Sequence, residues 1–335
     1  MSFLKKLFGA PEKENVEQQS SLEEETSEEE HEKKYEFETL RDDGLRAMNI
    51  HQEPYAIKCF EAAREYFPDN EEIQGYLAEA HIHVGQGKEA MKLLVPLVEK
   101  HPDSFKLLYA LSQAAEQVKD WDRMEAAALK AHELNREEDN AFFSLAKAQY
   151  QKKDYLNAIA SLTQLLARDE TFIPVRQLRG QVFFDMKQYA RAEEDMDYMI
   201  QNELATEETY QLKGEIREEQ DDMEGALQNY GKLEELNPFS HEYVLKSANV
   251  YLKLQKADKA LEMLNKAIED EPDFAEAYKL RGNVRLLLHD EAGSMDDLKK
   301  ALELSPESQK DLDGNYSNIE QKMDERLKNL NPFGF

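Results

Sequence analysis

Residues 241–274 read HEYVLKSANVYLKLQKADKALEMLNKAIEDEPDF, and residues 275–308 read AEAYKLRGNVRLLLHDEAGSMDDLKKALELSPES. Aligned without a gap, the two stretches share a small residue at position 8, Leu at position 24, Ala at position 27 and Pro at position 32. The two prolines lie at multiples of 34 residues from three earlier prolines, Pro68, Pro102 and Pro238. A fixed period of this length indicates a protein built from stacked structural repeats.

The same register extends through most of the chain. It divides the sequence into eight segments without an insertion: 37–70, 71–104, 105–138, 139–172, 173–206, 207–240, 241–274 and 275–308. Position 8 is Gly, Ala or Ser in all eight segments. A small residue at position 20 accompanies a large one at position 24, with the order reversed only at Met124 and Ala128. Apolar residues spaced by three and four predict two helices of about 12 to 14 residues per segment, joined by short turns.

This pattern resembles the tetratricopeptide repeat family in its small residue at position 8, its Ala at positions 20 and 27, and its Pro at position 32. The resemblance covers about four-fifths of the chain. It implies an all-α, right-handed solenoid of eight helix-turn-helix repeats, whose inner surface is lined by the first helix of each pair. It also implies a non-catalytic scaffold for protein–protein interaction.

Some positions depart from the family pattern. The proline at position 32 is replaced by Arg136, Glu170 and Leu204, so the turns after those repeats are less firmly specified. Pro96 lacks an N–H and falls late in a predicted second helix, which we therefore expect to be kinked or shortened.

The two ends of the chain lie outside the repeats. Residues 1–36 are rich in Glu and poor in large apolar side chains, which predicts a disordered acidic segment after a short apolar and basic start, FLKKLFG. We interpret that start as unprocessed. Residues 309–330 are predicted to form a capping helix for the last repeat, and 331–335 a flexible tail. The apolar stripe of the cap consists of Tyr316, Ile319, Met323, Leu327 and Leu330.

Composition excludes several classes of function. The formal net charge of −28 disfavours nucleic-acid binding, which depends on cationic side chains. Cys59 is the only cysteine, so an intrachain disulfide and a cysteine-built zinc site are ruled out. The apolar runs are shorter than the roughly 20 residues of a transmembrane helix. These features predict a cytoplasmic protein without a transmembrane segment.

Charged residues at core positions fit structural pairs better than catalysis. Arg179 and Arg281 occupy position 7, and the same repeats carry Asp195 and Asp297 at position 23. We expect each arginine to pair with the aspartate of its own repeat. Lys213 and Asn229 hold the same two positions in repeat six, as a donor and a possible acceptor.

No sequence motif indicates an enzyme, a cofactor site or a metal site. Gly-rich phosphate loops and nucleophile elbows are absent from the sequence. His81 and His83 are two residues apart, which places them on different faces of a helix rather than at the i, i+4 spacing of a helical metal site.

Function is therefore expected on the inner surface, which in this family is formed mostly by positions 2, 5, 9, 12 and 13. We call these the lining positions. In repeats three to five they include aromatic and basic residues that are candidate peptide contacts: Lys106, Tyr109, Phe143, Lys147, Tyr150 and Phe184. In repeats one, two and six they are acidic: Glu38, Glu72, Glu79, Glu208, Glu215, Glu218 and Glu219. The pattern predicts a partner segment with large apolar anchors flanked by basic residues.

Two alternative functions remain open. Lys279 and Asn283 resemble part of the clamp with which co-chaperones of this family hold the C-terminal tail of a chaperone, although no two further repeats follow to complete it. The second alternative is a membrane-associated assembly factor anchored through FLKKLFG, whose Phe3, Leu4, Leu7 and Phe8 share one helical face. The same N-terminal segment, or the C-terminal NPFGF, could also act as a docking peptide.

Overall fold

The computed structural model describes residues 13–237 and 242–305, with side chains over residues 30–237 and 243–305. These ranges contain sixteen α-helices and no strand, which confirms the all-α repeat prediction. The predicted capping helix 309–330, the tail 331–335 and the FLKKLFG segment lie outside the described residues. The helices are α1 (Lys13–Asn49), α2 (Glu53–Tyr66), α3 (Glu71–His83), α4 (Gly87–Lys100), α5 (Phe105–Gln117), α6 (Trp121–Leu134), α7 (Asp139–Gln151), α8 (Tyr155–Leu166), α9 (Ile173–Asp185), α10 (Tyr189–Gln201), α11 (Glu207–Glu219), α12 (Met223–Leu236), α13 (Glu242–Lys253), α14 (Ala257–Asp270), α15 (Ala275–Leu287) and α16 (Glu291–Leu304).

The helix boundaries follow the sequence register closely. The first helices α3, α5, α7, α9, α11 and α15 each begin at the first residue of a predicted 34-residue repeat. The second helices, from α2 to α16, begin at intervals of 34 residues throughout. Each repeat is therefore one helix pair.

A left-handed residue at position 15 makes the turn inside every repeat. In repeat three Lys119 has a φ of 60°, its N–H donates to the carbonyl of Glu116, and the next N–H, of Asp120, donates to Ala115 at 2.9 Å. This pair of hydrogen bonds closes the end of α5 as a Schellman motif. The left-handed residues at position 15 are His51, Gly85, Lys119, Lys153, Lys187, Asp221, Gln255 and His289. Only one of them is glycine, so the sequence did not reveal this turn.

Close packing between the helices of a repeat explains the small residue at position 8. A Cβ placed on Gly44 would overlap the ring of Phe60, and one placed on Gly214 would overlap Tyr230. Both aromatic rings are fully buried at position 24 of their repeats. Glycine at position 8 thus makes room for an aromatic side chain at position 24.

The chain divides into two compact units, with the boundary between Glu170 and Thr171. The first unit contains α1 to α8, and its core includes Phe60, Leu77, Leu94 and Leu162. The second unit contains α9 to α16, and its core includes Met196, Ile216, Tyr230, Val250 and Leu264.

Helix bounds differ from the sequence expectation at α1 and α4. α1 begins at Lys13 rather than Phe37, so residues 13–36, predicted to be disordered, are helical in the structure. This stretch contains neither Gly nor Pro and is rich in Glu, a strong helix former, so local propensity favours helix although large apolar residues are few. α4 is not shortened at Pro96 and continues to Lys100. Where position 32 is Glu170 or Leu204, the preceding helices α8 and α10 end early, at Leu166 and Gln201.

Both predicted Arg–Asp pairs form. Arg179 donates to the two carboxylate oxygens of Asp195 at 2.9 and 2.6 Å, and Arg281 binds Asp297 at the same distances. Asp195 also accepts a hydrogen bond from Arg176 at 3.0 Å, a contact that the sequence analysis missed. Each aspartate is almost fully buried, so these pairs tie the two helices of a repeat together.

The prediction for repeat six was wrong. Lys213 does not contact Asn229 but binds Asp197, which is position 25 of the preceding repeat. Asn229 donates instead to the carbonyl of Gly225 at 2.7 Å. A long lysine side chain at position 7 can reach a residue of the neighbouring repeat. A search for partners within the same repeat does not find such a residue.

Candidate functional site

The first unit carries five of the six candidate contact residues on two neighbouring first helices, α5 and α7, which pack against each other. Lys106 is exposed near the start of α5. One turn later Tyr109 is half-buried and stacks on Phe105 with 5.9 Å between ring centroids. Burial, with the carboxylates of Glu138 and Glu116 as smaller causes, raises the pKa of Tyr109. Its phenol therefore stays neutral and can donate a hydrogen bond.

Phe143 occupies the same repeat position on α7 as Tyr109 does on α5. The ammonium group of Lys147 lies 5.5 Å from the centroid of the Phe143 ring and 2.6 Å from both carboxylate oxygens of Glu116. The sequence had suggested Lys147 as a cation available to a ligand. In the structure its charge is already balanced by Glu116, so Phe143 and Lys147 present a ring beside a neutral ion pair.

Aromatic pairs recur at the turn between the first and second helix. Tyr150 at position 12 of repeat four lies 6.2 Å from Tyr155, and Phe184 at position 12 of repeat five lies 5.7 Å from Tyr189. Each pair joins positions 12 and 17. The sequence analysis missed Tyr155 and Tyr189 because both belong to second helices. Position 17 is aromatic in three successive repeats, at Trp121, Tyr155 and Tyr189, and this recurrence in the sequence could have identified both residues.

Phe184, the sixth candidate residue, belongs to the second unit, at the end of α9. Its partner Tyr189 donates a hydrogen bond to Glu219 of α11 at 2.9 Å. This hydrogen bond raises the pKa of Tyr189. The second unit therefore places two aromatic rings next to an exposed carboxylate.

Several of the predicted acidic lining residues are bound by neighbouring side chains, and two of them are neutralised by lysines. Glu215 binds Lys246 at 2.6 Å, and Glu218 binds Lys253 at 2.6 Å while also accepting a hydrogen bond from the buried hydroxyl of Tyr230. In the first unit Glu72 accepts a hydrogen bond from Tyr76 at 2.9 Å. The face of α11 is consequently less negative than the sequence alone indicated.

Over the described ranges, no three His, Cys, Asp or Glu side chains are grouped in a way that could hold a metal ion. The helices described from Lys13 to Leu304 also include none that is long and apolar enough to cross a bilayer.

Successive helix pairs with a constant turn and a 34-residue period define an all-α repeat protein of the solenoid class. A family model described as tetratricopeptide repeat matches residues 56–115 and 218–284, in both units. Both units therefore contain tetratricopeptide repeats. Members of this family generally serve as protein- or peptide-binding modules without catalytic activity.

Relatives and solved structures match parts of the chain. Hsc70-interacting proteins 1 and 2 of Drosophila melanogaster are 29% identical over 134 residues, which are 38% of this chain and 32% of theirs. The match thus spans about a third of those relatives. Among solved structures, PilW, a type IV pilus biogenesis factor, has a TM-score of 0.54 at 16% identity and covers 62% of this chain and 96% of its own. PilF of Pseudomonas aeruginosa has a TM-score of 0.51 at 17% identity, covering 65% and 99%. At these identities the structural likeness concerns the fold alone.

Proposed function

We propose that this protein is a non-catalytic scaffold that binds a peptide or an extended segment of another protein on its lining positions. In the first unit Tyr109, Phe143 and Tyr150 act as the anchors. The observation that carries the proposal is that these three aromatic side chains lie at lining positions of α5 and α7 and remain only half-buried. The neighbouring core positions of the same helices, such as Leu108 and Leu145, are closed to solvent.

Aromatic anchors suit such a surface for a physical reason. A large ring gains free energy when a partner removes its exposed part from water, and it loses little conformational entropy because it has only two side-chain torsions. The phenol of Tyr109 can also donate a hydrogen bond to a partner carbonyl. A few central aromatics carry most of the affinity in many protein interfaces.

The partner segment is expected to place one or two large apolar side chains on these rings. Lys147 is balanced by Glu116, whereas Lys106 is exposed, so an acidic group of the partner would meet Lys106. Basic residues elsewhere in the segment would meet the strongly acidic chain, which carries a formal net charge of −28. Long-range attraction of this kind accelerates association more than it strengthens the complex, so added salt should lower the association rate.

The test is a selection from a displayed library of random peptides against the full chain, followed by affinity measurements on the selected peptides. We expect enrichment of peptides with apolar or aromatic residues. A variant carrying Tyr109→Ala, Phe143→Ala and Tyr150→Ala should bind them at least about thirtyfold more weakly, since a hot-spot aromatic contributes about 2 kcal/mol. The matched control is Tyr66→Ala, which removes an exposed aromatic from a second helix, α2.

Two results would contradict the proposal. One is the failure of the unmodified chain to select any peptide. The other is an unchanged affinity of the triple variant when its far-ultraviolet circular dichroism shows intact helices.

A co-chaperone role is the second candidate, because the relatives found by sequence are named Hsc70-interacting proteins. In the second unit Lys279 is exposed and Asn283 is half-buried on α15, at the positions that resemble part of a carboxylate clamp. The probe is the C-terminal decapeptide of an Hsc70 chaperone with a free or an amidated C-terminus. Binding that requires the free carboxylate and is lost in Lys279→Ala would support this role. Equal binding of both peptides would exclude the clamp.

A further inference from the structure

We propose that Phe184, Tyr189 and Glu219 in the second unit form a docking site for a guanidinium group, the side chain of an arginine in the partner segment. This inference rests on the proposed function and names the partner chemistry that this part of the lining surface recognises.

The geometry brings two aromatic rings and a carboxylate together. Phe184 ends α9 and Tyr189 begins α10, and their ring centroids are 5.7 Å apart at an interplanar angle of 54°. The Tyr189 hydroxyl donates to Glu219 at 2.9 Å, which holds the carboxylate at the edge of the ring pair. The two rings touch each other, so a cation would lie over an outward ring face, beside the carboxylate.

Glu219 differs from its neighbours in its charge balance. Glu215 and Glu218 on the same helix are each bound by a lysine of α13. No Lys or Arg of the described residues forms an ion pair with Glu219, which is exposed. The Glu219 carboxylate, next to the Tyr189 ring, can therefore bind a cation that does not belong to the described residues.

The protein uses the same combination internally. The guanidinium of Arg176 lies 3.5 Å from the centroid of the Tyr198 ring and donates to Asp195 at 3.0 Å. In the first unit, the ammonium of Lys147 lies over Phe143 and binds Glu116. At both places an aromatic ring and a carboxylate hold one cation. At Phe184, Tyr189 and Glu219 the ring and the carboxylate are present, and none of the described Lys and Arg side chains supplies the cation.

Arginine fits this site better than lysine. Its planar guanidinium can stack on a ring while its N–H groups donate to the carboxylate, whereas a lysine ammonium is a compact and strongly hydrated charge. A neutral group of the same shape would keep the stacking and lose the ion pair. Comparison of arginine with its neutral isostere citrulline therefore measures the effect of the guanidinium charge, and Glu219→Gln separates the part due to the ion pair.

The experiment titrates the full chain, labelled with 4-fluorophenylalanine, with N-acetyl-arginine amide and with N-acetyl-citrulline amide. Fluorine NMR follows the Phe184 signal, which Phe184→Leu assigns. We expect the arginine compound to shift this signal with a dissociation constant about fivefold to tenfold lower than that of the citrulline compound, from a surface ion pair and a cation–π contact of modest strength. Glu219→Gln should reduce that difference to the share of the cation–π contact. The control variant Glu215→Gln, whose carboxylate is already bound by Lys246, should keep the full difference.

Equal dissociation constants for the two compounds would overturn the inference. So would a dissociation constant for the arginine compound that is unchanged in Glu219→Gln. The outcome is separate from that of the peptide selection. Peptides that bind through the first unit while arginine fails to shift Phe184 would leave the proposed function standing and remove only this site. A specific arginine response without any selected peptide would support the site and contradict the scaffold function.

Discussion

The buried carboxylate of Asp195 allows a quantitative prediction about stability. It accepts hydrogen bonds from Arg179 at 2.6 and 2.9 Å and from Arg176 at 3.0 Å. The side chains of Asp195, Arg176 and Arg179 are 3%, 10% and 19% exposed, so solvent screens this cluster little. Asp195→Asn keeps the shape but removes the buried negative charge that the Arg176 and Arg179 guanidinium groups share. Breaking a buried ion pair from one side costs about 3 to 5 kcal/mol.

The assay is equilibrium urea unfolding followed by far-ultraviolet circular dichroism. Asp297→Asn, which removes the equivalent partner of Arg281, serves as an independent repeat of the test. Glu235→Gln is the matched control, since it also removes one carboxylate charge from an ion pair. The side chain of Glu235 is 66% exposed and that of its partner Lys232 is 50% exposed. The cost of Glu235→Gln should stay below about 1 kcal/mol. If Asp195→Asn destabilises the protein no more than Glu235→Gln does, the reasoning about buried pairs is refuted.

Three further predictions concern the turn, a histidine and the N-terminal helix. Because position 15 is left-handed, Lys119→Gly should stabilise the chain by about 0.5 kcal/mol and Gly85→Ala should destabilise it by about 1 kcal/mol in urea unfolding, and the opposite signs would contradict this. Burial, and to a smaller extent the charge of Arg168, lowers the pKa of the His132 imidazole below its usual 6.5. As the pH falls below 6.5, the unfolded chain therefore takes up a proton on His132 before the folded chain does, and the folded protein loses stability relative to higher pH. The unfolding midpoint should fall less between pH 7.5 and 5.5 in His132→Gln, and an equal fall would refute the assignment. The amides of residues 13–34 should exchange orders of magnitude faster than those of residues 37–49, because an acidic helix with few large apolar residues is marginal in water, and slow exchange there would show otherwise.

The sequence predicted the fold well because the repeats carry the same information eight times. A small residue at position 8 facing a large one at position 24 has a direct packing cause, visible at Gly44 with Phe60 and at Gly214 with Tyr230. The Arg–Asp pairs were predictable for the same reason, since positions 7 and 23 vary together within two repeats.

Contacts between repeats were harder to predict. Lys213 binds Asp197, and Lys147 binds Glu116, each a residue of the preceding repeat. Long cationic side chains can choose between partners at several positions, and their choice depends on geometry that the repeat pattern does not contain. For this reason the sequence identified the aromatic candidates but overestimated the free charge around them.

The start of α1 shows a different limitation. Low hydrophobicity and many Glu residues predicted disorder for residues 12–34, whereas the structure has helix from Lys13. Both outcomes follow from the same composition, because Glu favours helix locally while offering no buried face for tertiary packing. Amide exchange separates the two.

The central claim is that partners bind at the aromatic lining positions of α5 and α7. The most direct test places the photo-crosslinker 4-benzoylphenylalanine at position 143, in place of Phe143, or at position 66 of α2, in place of Tyr66, and irradiates each protein with a selected peptide. Mass spectrometry then locates the crosslinks. We expect efficient crosslinking from position 143 and none above background from position 66. Crosslinking from position 66 alone, or none from position 143 under saturating peptide, would contradict it.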